Sequence, residues 1–209
     1  MDLSVFSSVL LAISSLCCFG TGIAAFRRYS TTKSERLFIV GLAMIIAAVG
    51  IIGGALDSIS ALDPYAFEWS WYFGTSLGYL LLFLSSIMTS AEQFHILKRW
   101  SIVAATILVI LLALSLSLPD VTRNLDVIVG MNVLRIIICS LGFSRYLMLY
   151  TSKGTRFSLL LCLAFLFIGI GYGTIIVQVL SGRTIQLPVI DSMIRVVGNV
   201  LLFAAFVLG

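Results

Sequence analysis

Residues 126–143 read DVIVGMNVLRIIICSLGF, and the apolar segment they begin runs on to Tyr150. At 1.5 Å of rise per residue, Arg135 falls about nine residues in, near the middle of a ~30 Å hydrocarbon layer. A guanidinium at that depth is costly, so it must face protein or water and find a partner. Asp57 and the pair Asp191/Arg195, each inside another apolar segment, are the partners the sequence offers. The chain reads as an all-α polytopic membrane protein with a small charged cluster between its helices.

Composition agrees. Of 209 residues 60% are hydrophobic and 11% charged, with a mean hydropathy of +1.15. Soluble domains carry roughly 25% charged residues. Seven runs, roughly 3–26, 37–62, 69–89, 101–118, 126–150, 157–181 and 189–209, each approach the ~20 residues that cross a bilayer. Residues 1–209 form one seven-span domain, so function must reside in the helices or at their ends. Span 1 has no basic region before it (Met1-Asp2-Leu3-Ser4) and is too long for a removable signal peptide.

The positive-inside rule orients the bundle. Arg27, Arg28, Lys33, Arg36, Lys98, Arg99, Arg145, Lys153 and Arg156 fall on one side. Arg123 and Arg183 fall on the other, with Asp2, Asp63, Glu68, Asp120 and Asp126. The N-terminus is expected outside and the C-terminus inside a cell membrane crossed many times. The +4 net charge is then a topology signal and gives no reason to expect nucleic acid as a partner. Tyr65, Phe67, Trp69, Trp71, Tyr72 and Trp100 read as an interfacial aromatic belt. Cys17, Cys18, Cys139 and Cys162 all lie within spans and read as small packing residues.

Pro64, Pro119 and Pro188 are expected in outer loops, leaving no helix broken by proline. Gly50/Gly54, Gly74/Gly78 and Gly169/Gly173 form small-xxx-small pairs that predict close helix packing. Span 4 lacks charge and glycine and is expected at the lipid-facing periphery. An offset of 120 aligns Lys33 with Lys153, Arg36 with Arg156, Gly53 with Gly173, Gly78 with Gly198 and residues 81–83 with 201–203. That suggests a parallel 3+1+3 repeat with span 4 as connector.

Asp191, Arg195 and Asn199 share one face of span 7, and Asn132, Arg135, Cys139, Gly142 and Tyr146 share one of span 5. With Asp57 and Gln178 at a similar level, they predict an outer-half polar pocket between spans 2, 5 and 7. A static clamp, Asp57 on Arg135 and Asp191 on Arg195, is the structural alternative. A guanidinium in such a pocket suits a small amphipathic, anionic or carbonyl-bearing ligand.

His95, the only histidine, reads as a solvated residue on an amphipathic inner stretch. One histidine excludes bis-histidine haem and a three-histidine zinc site. There is no HExxH helix, no GxSxG elbow and no intramembrane Ser/Lys pair, so an enzyme is disfavoured. Seven helices with an outside N-terminus resemble the rhodopsin architecture in count and topology only. A covalently bound retinal needs a lysine in the last span, where Arg195 and Asn199 stand instead.

A ligand-sensing or signal-input module is the leading reading. It draws on the enclosed cluster, the inner basic loops and the abrupt end at Phe206-Val207-Leu208-Gly209, which suggests an output domain beyond. A small transporter or channel, and an accessory subunit with membrane-protein partners, are the alternatives.

Overall fold

The computed structural model describes residues 3–59, 67–114, 125–181 and 187–208. They form seven helices: α1 Leu3–Thr32, α2 Glu35–Ile59, α3 Glu68–Ile87, α4 Ala91–Leu114, α5 Leu125–Lys153, α6 Arg156–Ser181 and α7 Leu187–Leu208. Six of them are long and apolar enough to cross a membrane, which makes this a helical membrane protein. The exception is α3. Its hydroxyls lower its apolarity, but four of them are satisfied locally: Ser70, Thr75, Ser85 and Ser86 donate to the carbonyls of Phe67, Trp71, Leu82 and Phe83. The helix sits deep in the bundle, against α2, α4 and α5.

Two boundaries differ from expectation. α4 begins at Ala91, because the amphipathic stretch carrying His95 continues into the span, and Pro188 lies in the first turn of α7. Proline is tolerated there because the first N–H groups of a helix have no partner within it. Asp2, Asp63, Pro64, Tyr65, Pro119, Asp120, Arg123 and Arg183 lie outside the described residues.

Neighbour relations close a ring in the order α1, α2, α3, α5, α6, α7 and back to α1, while α4 packs outside it on α2 and α3. α4 is the least buried of the six apolar helices, as its composition predicts. Glu35 anchors it at the basic end, with Lys98 Nζ 3.5 Å and His95 Nδ1 3.7 Å from its Oε1.

Glycine sets the α2–α3 crossing. A Cβ on Gly74 would lie 2.6 Å from Gly50 Cα, and one on Gly78 would lie 2.6 Å from Ala47 Cβ. Of Gly169/Gly173 only the first performs the role its spacing suggests: a Cβ on Gly169 would lie 3.1 Å from Cys139 Cβ, whereas one on Gly173 meets no described atom within 4 Å. Opposite signs therefore follow. Gly74→Ala should destabilise the protein in detergent by about 1–3 kcal/mol, the usual cost of overpacking. Gly173→Ala should stabilise it by up to ~1 kcal/mol through helix propensity. Thermal unfolding of the two variants beside wild type checks both.

Candidate functional site

Arg135 is fully buried, as its depth requires, but its surroundings differ from expectation. Its Nε donates to Ser76 Oγ (3.2 Å), Nη1 to Asn132 Oδ1 (3.1 Å) and Nη2 to the Trp71 carbonyl (3.0 Å). Asn132 is itself fixed by the hydrogen bond its Nδ2 donates to the Ile128 carbonyl. Three rings lie around the guanidinium, with centroids 4.7 Å (Trp71), 4.8 Å (Tyr72) and 4.8 Å (Tyr172) from Cζ. Among the described residues no carboxylate pairs with it; Asp57 lies on α2 with its side chain outside the described residues. The expected neutralisation by Asp191 is overturned. Neutral acceptors and π faces solvate the cation instead. Trp71 and Tyr72 therefore belong to this cage and not to an interfacial belt.

Asp191 is taken by its own helix. Arg195 Nη2 donates to Asp191 Oδ2 (2.5 Å) and to Ser192 Oγ (3.2 Å), as the i, i+4 spacing allows. Arg195 also approaches rings of the Arg135 cage, 5.7 Å from Trp71 and 5.5 Å from Tyr172. The two guanidiniums thus share two aromatic side chains. Asn199 lies away from the pocket, where its Oδ1 accepts from Tyr79 Oη (3.1 Å) and Cys18 Sγ (3.6 Å).

A cavity of about 250 Å³ opens at the end of the ring opposite the basic residues. It is bounded by α1, α2, α3, α6 and α7, with Gln178, Asp191 and Arg195 among its lining residues. The expected involvement of α5 is indirect: Arg135 stands behind Trp71 and does not line the space. Three buried polar atoms of lining residues, Trp71 Nε1, Gln178 Nε2 and Asp191 Oδ1, have no hydrogen-bond partner among the described residues. Trp71, Glu68, Ser7 and Ser192 are lining residues that sequence reasoning missed. For Glu68, the buried stripe of α3 at spacings of 3 and 4 (Glu68, Tyr72, Thr75, Ser76, Tyr79) was the available signal.

No family model matches the chain, and no curated protein or solved structure matches it either.

Proposed function

We propose that the chain is a seven-span sensory module, with N-terminus outside and C-terminus inside, whose outer cavity takes a small amphipathic ligand. The observation carrying this reading is that three residues lining one cavity each hold a buried polar atom without a partner among the described residues, one of them on the tryptophan that both guanidiniums share. A ligand bonded to Trp71 Nε1 favours one position of that ring over others, and so biases the packing of α3, α5 and α7 together. Nine basic residues at the opposite end support the orientation. A cysteine at position 66 in a cysteine-free protein should be labelled from outside; labelling only from inside would reverse the topology.

A parallel duplication accounts for the ring. Exchanging α1–α3 with α5–α7 maps the neighbour relations onto themselves. The turns after α1 and α5 each carry a left-handed residue, Lys33 and Gly154, whose N–H bonds to the carbonyl of Tyr29 or Tyr150. Gly78 packs on Ala43 O and Ala47 N, and Gly198 packs on Ala164 O and Ile168 N. Positions 33 and 154, like 43 and 164, are 121 apart, whereas 78 and 198 are 120 apart. Lys33 therefore answers to Gly154 and not to Lys153. Tyr79 and Asn199, also 120 apart, bond each other, as residues on a pseudo-two-fold axis do.

The same duplication favours a small transporter as second reading. A cavity of about 220 Å³ at the basic end includes Arg36, Ser85, Tyr146 and Phe206 in its lining, and buried Tyr79, Leu82, Asn199 and Leu202 lie at levels between the two cavities. Compounds that raise the unfolding temperature of wild type but not of the cavity-filling Leu11→Trp occupy the outer cavity. A sensed ligand is not accumulated by proteoliposomes; accumulation would establish transport. Identical responses of wild type and Leu11→Trp to a broad set of small amphiphiles would defeat both readings.

A further inference from the structure

The geometry points to a neutral head group that both donates and accepts hydrogen bonds, a primary amide being the best match, as the chemistry this cavity recognises; the inference rests on the ligand-binding reading above. Trp71 Nε1 and Gln178 Nε2 are donors and require an acceptor, whereas Asp191 Oδ1 is an acceptor and requires a donor. Asp191 is 4% exposed, so water outside the cavity does not solvate that oxygen. An amide carbonyl satisfies either N–H donor while its NH₂ satisfies the carboxylate.

The ionic alternatives match the lining less well. A carboxylate ligand would meet Asp191 and Glu68 in the same lining, leave Asp191 Oδ1 without a donor, and find Arg195 Nη2 already engaged by Asp191 Oδ2 and Ser192 Oγ. An ammonium ligand would face Arg195 and leave the tryptophan and glutamine donors empty. The remaining wall is apolar where Leu11 and Ile175 stand, and the volume of about 250 Å³ equals that of about eight waters at ~30 Å³ each. That suits a polar head on a short hydrocarbon body.

Butanamide, butanoate and butylammonium share a four-carbon skeleton and differ in the head. Each is titrated at pH 7 into the full chain carrying Trp69→Phe and Trp100→Phe, so that fluorescence reports Trp71 alone. Butanamide is expected to give a saturable change at a concentration at least tenfold lower than either ion, and Gln178→Ala should raise that concentration about tenfold. Asp191→Asn keeps an acceptor for Arg195 and turns an amide NH₂ toward the cavity, so preference should move to butanoate. Tightest binding of butanoate or butylammonium to the otherwise unaltered cavity overturns the head-group inference and leaves the ligand-binding reading standing. No saturable response to any of the three overturns both, because the polar atoms would then be served by water.

Discussion

Arg135→Ala is expected to cost more folded protein than any other single substitution in the bundle. Truncating a fully buried side chain of this size leaves a cavity, and large-to-small changes of comparable bulk cost about 3–5 kcal/mol. Asn132 Oδ1, Ser76 Oγ and the Trp71 carbonyl would also lose their donor, at ~1–3 kcal/mol for each buried group left unsatisfied. Arg135→Lys should fall between alanine and wild type, since one ammonium cannot reach three acceptors held around a planar fork.

Arg135→Met separates volume from charge. It roughly keeps the packing and removes a cation whose described partners are all neutral. A buried charge carries its own desolvation cost, so its loss offsets much of the lost hydrogen bonding. The methionine variant should therefore be distinctly more stable than the alanine one by thermal unfolding in detergent. Equal instability of the two would make the charge itself essential. Asp57 would then be the counterion, and Asp57→Asn should reproduce the loss.

The seven helices were legible because apolar runs near bilayer length are separated by short charged turns, and the peripheral place of α4 followed from its lack of charge and glycine. The partner of Arg135 was not legible. Coulombic reasoning assigns a buried cation to the nearest available acid, but Asp191 has an arginine one turn away on its own helix. What solvates Arg135 is aromatic and neutral, and a Trp-Tyr pair near a helix end reads equally well as an interfacial belt. The glycine pairs show the same limit. Spacing identifies a face able to approach closely, but only the neighbouring helix decides whether it does, as Gly74 and Gly173 demonstrate.

Arg195→Met and Asp191→Leu should each destabilise the protein strongly, and together should do less harm than the sum of the two. Breaking a buried pair leaves an uncompensated charge, at about 3–5 kcal/mol in comparable cases. The two losses are not symmetrical. Without Asp191, Arg195 keeps the faces of Trp71 and Tyr172 and the Ser192 hydroxyl. Without Arg195, Asp191 remains nearly buried in a lining that also contains Glu68. Arg195→Met is therefore expected to be the worse single change, although its methylenes still cover Gly171, against which Arg195 Cγ packs. The double variant removes both charges and should recover at least half of the summed loss in a thermodynamic cycle. Strict additivity would mean that the two charges are already solvated through the cavity. The unpartnered Asp191 Oδ1 would then be an ordinary hydrated oxygen, and the cavity would lose its main claim to a ligand.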